Sequence, residues 1–127
     1  MLYILTYINL YSMIFIEVAM NIDFENGSHL LKAIADPTRI CIVHILSCGE
    51  LCVCEIQKYF NVSQPTLSHH LSILKNVGII TASRKGKWMY YGINREKVKL
   101  LTGFLDTVFL PGDACLCKVL NEDGPSC

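Results

Sequence analysis

Ser63-Gln64-Pro65-Thr66-Leu67-Ser68-His69-His70-Leu71, running on through Leu74 to Gly78, decides the fold. Leu67, Leu71 and Leu74 recur at i, i+4 and i+7, the apolar stripe of a helix. Ser63 is an N-cap residue type. Pro65 falls in the first turn, where its missing N–H costs nothing, and Gly78 is a good residue to end on. With the leucines on a core, about 100° per residue turns Pro65, His69, Ser72 and Asn76 to the opposite face. Gln64, Thr66, Ser68 and Lys75 flank them. Polar side chains near the start of such a helix reach base edges in the major groove, while hydroxyls and N–H groups hold phosphates. Gln64 can pair bidentately with adenine. A merely solvated helix face is the plainer reading. His70 lies beside the stripe and is expected to be a hydrogen-bonded, half-core residue.

Downstream, Ile79–Ser83 and Trp88–Ile93 are rich in β-branched and aromatic residues, joined by Arg84-Lys85-Gly86-Lys87, so a hairpin is predicted. Arg84, Lys85 and Lys87 at its tip are candidates for the minor groove or the DNA backbone, and Trp88, Tyr90 and Tyr91 for sheet packing. Asn94 can cap a last helix with Val98, Leu101, Leu105 and Val108 inward, ended by Pro111-Gly112. Upstream, a short helix is expected from about Cys52 to Phe60, with Ile56, Tyr59 and Phe60 inward. Before it, Asp36-Pro37 starts a helix carrying Ile40, Val43, Ile45 and Leu46. Leu30, Leu31, Ile34 and Ala35 have helical spacing ahead of that. The order α-α-α-α-β-β-α is an α+β, mostly helical class: a winged helix-turn-helix.

Charge agrees with a nucleic-acid partner. The 127-residue chain is formally neutral, yet between Lys58 and Lys99 eight cations face one anion, Glu96, an excess of seven. A neutral total hides a basic module, the electrostatic footprint of DNA binding.

The cysteines carry the chemistry. There are seven: Cys41, Cys48, Cys52, Cys54, Cys115, Cys117 and Cys127. Close Cys-x-Cys pairs without a secretory signal point to metal or redox work in a reducing, cytoplasmic setting. Thiolates suit As(III), Sb(III), Cd(II), Zn(II) and Cu(I), and a helix N-terminus lowers a cysteine's pKa. Within a regular helix, residues two apart point roughly 200° away from each other. Joint coordination by Cys52 and Cys54 is therefore expected to distort the start of their helix. Cys41 is expected in the core. A thiol redox enzyme would favour Cys-x-x-Cys in a βαβ setting, and a metal-buffering protein would need no operator. Nothing resembles a hydrolytic triad or a nucleotide loop, so a non-enzyme is expected.

Residues 1–19 form an apolar N-terminal extension, uncharged from Met1 to Ile16, read three ways: an upstream stretch before a start at Met13 or Met20, a dimer-packing segment, or a membrane anchor. It is short for a span, and no membrane partner is expected. Residues 20–112 form the DNA-binding and dimerisation domain, and 113–127 a cysteine-bearing tail.

Together these motifs resemble the ArsR/SmtB family of metal-sensing winged-helix repressors, and within it the arsenical-operon repressors. Leu31–Arg39 resembles the family's opening helix junction, Glu50-Leu51-Cys52-Val53-Cys54-Glu55-Ile56 its arsenic-binding motif, Ser63–Leu71 its recognition helix and Gly86–Tyr91 its wing. The resemblance implies a homodimer on a double-stranded operator with two-fold symmetry, released when an inducer binds, and control of arsenite-efflux genes. Zinc sensors of the family use Asp and His on the last helix, and no histidine follows His70. Cadmium and lead sensors add cysteines in an N-terminal arm, and none precedes Cys41. Some arsenic sensors carry a third cysteine where this chain has Gln57. As(III) or Sb(III) at Cys52 and Cys54 is the leading inducer. Cys115 or Cys117, then Cys48, are candidates for the third thiolate, and a small thiol or hydroxide is the alternative. Cd(II), Pb(II), Zn(II) or an oxidant acting on the same cysteines is the runner-up.

Overall fold

Capping chemistry sets the helix boundaries in this computed structural model, which describes residues 22–110. The described residues form α1 (Phe24–Ile34), α2 (Pro37–Leu46), β1 (Leu51–Cys52), α3 (Val53–Gln57), α4 (Gln64–Asn76), β2 (Ile80–Lys85), β3 (Trp88–Ile93) and α5 (Arg95–Phe109). Asp36 caps α2 by accepting the Arg39 N–H at 3.1 Å, with Pro37 in the first turn. Ser63 caps α4 through the Thr66 N–H at 3.3 Å. Asn94 accepts the Lys97 N–H at 3.4 Å, ahead of α5. At the end of α4, Gly78 takes φ +83°. Its N–H donates to the Lys75 carbonyl and the Ile79 N–H to the Leu74 carbonyl, the paired bonds of a Schellman stop.

The three strands form an antiparallel sheet in the order β1-β3-β2. β2 and β3 pair from Ile80 with Ile93 out to Lys85 with Trp88. That register leaves Gly86 and Lys87 as the turn, with Gly86 at φ +63°. A glycine at the first central position is what a type II′ hairpin turn asks for. The expected four-residue turn is thus two residues, and Arg84 and Lys85 belong to β2.

The chain divides into two units, of which Glu25–Thr102 holds α2, the sheet, α3 and α4. Its core is Leu30, Ala33, Ile42, Leu46, Cys52, Ile56, Leu67, Leu71, Leu74, Ile79, Ile80 and Leu101. The leucine stripe of α4 is buried throughout, as expected. In α2 the inward residues are Ile42 and Leu46, whereas Ile40 is 54% exposed. This helix is apolar nearly all round, so spacing alone did not choose its face. α3 stops at Gln57, and Tyr59, expected inward, is 62% exposed. In the second unit, Phe24 and Phe104 meet edge to face, centroids 6.3 Å apart. Val108, expected inward on α5, is exposed.

No described helix is long and apolar enough to cross a membrane. Residues 1–19 and the 113–127 tail, with Cys115, Cys117 and Cys127, lie outside the described residues.

Leu71→Ala empties a fully enclosed site and should cost about 2–5 kcal/mol. Ser72→Ala, one residue on and exposed, should stay within about 0.5 kcal/mol. Denaturant unfolding of both variants checks this contrast.

Candidate functional site

α4 presents one polar face. Ser63, Gln64, Thr66, Ser68, His69, Ser72 and Lys75 are all exposed. The hydroxyls of Ser63 and Thr66 lie 2.8 Å apart, so the Ser63 side chain is engaged in the cap. His70 sits on the flank of α4, its Nδ1 3.2 Å from Arg39 Nη1 and 3.9 Å from Asp36 Oδ1. Arg39 also donates through Nε to the Ala33 carbonyl. Arg39, unassigned from sequence, therefore ties the α1–α2 junction to α4, and His70 is half-buried and hydrogen-bonded, as read. The Arg39 backbone N–H, aided by the charges of His70 and Arg39, holds the Asp36 carboxyl below its ordinary value. A depressed carboxyl stabilises the fold above its unfolded pKa and loses that contribution as pH falls through the lowered one. Unfolding midpoints followed down through pH 3.8, the ordinary aspartate value, should fall less steeply for Asp36→Asn than for the parent chain.

The hairpin tip carries Arg84, Lys85 and Lys87, all exposed. Arg84 Nε donates to the Gly86 carbonyl at 3.4 Å. The Lys87 ammonium lies 5.9 Å from the Trp88 ring centre. Trp88, expected to pack on the sheet, is 49% exposed, at the turn end of β3 where it pairs with Lys85. Lys85 already has a partner: its Nζ is 2.5 Å from Glu50 Oε2 and 5.0 Å from the Tyr90 ring centre. Glu50 raises the Lys85 pKa.

The thiol segment differs most from expectation. Leu51 and Cys52 form a strand on β3, paired with Tyr91 and Tyr90. Cys52 is not inside the helix. It is the N-cap of α3, with extended φ −76° and ψ 160°. Its N–H donates to Glu55 Oε2 at 2.8 Å, one arm of a capping box with a sulfur where Ser or Thr usually stands. The Cys52 side chain is buried and that of Cys54 exposed, one at the cap and one in the first turn of α3. The two cysteines were expected to share the start of one helix; instead Cys52 precedes it in extended conformation and Cys54 lies within it. The Cys54 thiol, then burial, raises the Cys52 pKa. That reverses the expected lowering by the helix N-terminus; α3, only five residues long, supplies little dipole. The Cys52 N–H in turn lowers the Glu55 carboxyl.

Cys48 lies exposed in the turn after α2, and Cys41 is half-buried. Among the described residues, no three His, Cys, Asp or Glu side chains gather as a metal site. Two adjacent thiols fit a soft, thiophilic ion as part of a ligand set, but a third donor is not assembled there. Gln57 does something else: its Nε2 donates to the Val62 carbonyl at 2.6 Å, and its Oε1 is buried without a hydrogen-bond partner. That bond links α3 to the residue before the Ser63 cap. β1, the Glu50–Lys85 pair and the Gln57 link were all missed from sequence. Two-residue strands and single side-chain links leave no periodicity to find.

With this geometry in hand, the chain matches the family described as "Bacterial regulatory protein, arsR family" over residues 36–82. It is 36% identical over 99 residues to the arsenical resistance operon repressor of Staphylococcus xylosus, covering 78% of this chain and 95% of that protein. It is 45% identical over 73 residues to a cadmium resistance transcriptional regulatory protein CadC homolog of Staphylococcus aureus, covering 57% and 60%. A crystal structure described as a possible transcriptional regulator for arsenical resistance superposes with a TM-score of 0.60 at 25% identity, over 76% of this chain and 97% of that one.

Proposed function

The chain belongs to the arsR family of bacterial regulatory proteins, and on that premise we propose that it is a repressor released from its operator by trivalent arsenic or antimony. The observation that carries this reading is the joint at Cys52 and Cys54. Two cysteines, two residues apart, stand where the wing's third strand becomes α3, and α3 is hydrogen-bonded through Gln57 to the entry of α4. Gln64, Thr66, Ser68, His69, Ser72 and Lys75 then read or hold the duplex, with Ser63 ordering the helix start and Arg84, Lys85 and Lys87 at the wing. This assignment is supported by their shared exposed faces.

As(III) supplies a thiophilic centre that favours three sulfurs. Each thiol that joins it forms one As–S bond, and its hydrogen leaves with one hydroxyl of arsenous acid as water. Cys52 and Cys54 give two of the three. Cys115 or Cys117 is the candidate for the third, from either protomer, ahead of Cys48. Drawing the two sulfurs onto one centre moves the end of β1 against the start of α3, and so the wing and α4 together. A ligand that favours the form off DNA weakens DNA binding by the same factor that DNA weakens the ligand, on the order of 1–3 kcal/mol.

The operator is a two-fold symmetric duplex and the protein a homodimer, for which α5 offers exposed Leu100, Val108 and Phe109. The regulated genes confer arsenite resistance, and the setting is the cytoplasm. Sensing of Cd(II), Pb(II) or Zn(II) by the same cysteines is the second reading, favoured by the likeness to the cadmium-resistance regulator.

Mobility shifts of the duplex upstream of the chain's own gene test the proposal. Arsenite should release the parent protein, while Cys52→Ser and Cys54→Ser should keep binding DNA and require at least ten-fold more arsenite. Release of both variants at the parent concentration would overturn it. Release by cadmium but not arsenite would select the second reading.

A further inference from the structure

Lys85 is one of three exposed cations on the wing, and it already has an anionic partner. Its ammonium lies 2.5 Å from the Glu50 carboxylate and 5.0 Å from the Tyr90 ring centre. Both partners belong to the thiol region. Glu50 is two residues before Cys52, and Tyr90 is the ladder partner of Cys52. The approach is close: a Cβ added to Gly92 would stand 3.1 Å from Glu50 Cγ, so the Glu50 stem lies flat on β3 because position 92 is glycine. The Glu50 stem thus lies against β3, and its carboxylate meets the Lys85 ammonium from β2. The pair is open to water, with side chains 57% and 49% exposed. An exposed ion pair is weak and screened by salt, so it can exchange for another anion.

We propose that Glu50 is a positioning residue that holds Lys85 as an internal stand-in for a DNA phosphate, so that the strand leading into the thiol pair limits the wing's grip on the operator. The inference rests on the reading of this protein as a DNA-binding repressor and goes beyond it by naming a residue that opposes DNA binding. Because Glu50 and Cys52 are on one short extended segment, a shift of that segment resets the Lys85 contact directly. The wing, and not α4 alone, then answers to the thiols.

A double-mutant cycle on operator affinity, without inducer, tests this. Glu50→Gln keeps the stem over Gly92 and removes only the charge. It should tighten operator binding by about two- to five-fold per protomer, the range expected when one exposed ion pair no longer competes. Glu50→Asp should fall back towards the parent value. In a Lys85→Met background, Glu50→Gln should change affinity by less than about 1.5-fold. Tightening of equal size in both backgrounds would mean general charge repulsion and would overturn the proposal, as would weaker binding by Glu50→Gln. A parent chain that does not bind the duplex at all would instead sink the repressor reading, which separates the two failures.

Discussion

Two ladder pairs, Leu51 with Tyr91 and Cys52 with Tyr90, hold this molecule in its working arrangement. They make the segment before α3 the third strand of the wing sheet. They keep Cys52 extended and outside the helix that holds Cys54. Had a regular helix begun one turn earlier, the two side chains would diverge by roughly 200°. A pairing of two residues therefore decides whether the two cysteines share a helix. It also decides where Glu50 lies, and so what Lys85 touches.

The contacts around this joint differ in strength from those beneath it. Leu67, Leu71 and Leu74 are sealed in the core, and removing one such side chain costs about 2–5 kcal/mol. The reading helix is thus a rigid body. Two contacts lead outward from the thiol segment: a hydrogen bond from the Gln57 amide to the Val62 carbonyl, ahead of α4, and a water-exposed ion pair from Glu50 to Lys85 in the wing. The proposed release asks for a coupling of about 1–3 kcal/mol, less than the loss of one such core side chain costs.

Most of the fold was legible because it rests on repeated or punctuated patterns. The leucine spacing, the Ser63 and Asp36 caps, Gly78 and the alternation of the hairpin are each written over several residues. The polar face of α4 followed from the leucines by rotation. The misses share a cause. α2 is apolar on most sides, so Ile40 could not be told from Ile42 by spacing. β1 is two residues long and leaves no period. Cys52 and Cys54 were expected to share one helix, and a single cap position set Cys52 outside it. Glu50 pairs with a residue 35 positions away, a contact that exists only once the sheet has formed.

The affinity for arsenite, measured with and without saturating operator duplex, tests most directly whether the thiol pair is coupled to DNA. Titration of the protein–DNA complex should give arsenite binding weaker than for the protein alone, by the same factor, on the order of 5–150-fold, that arsenite takes from operator affinity. Equal arsenite affinity in the two titrations would contradict a thiol site coupled to the DNA-reading surface.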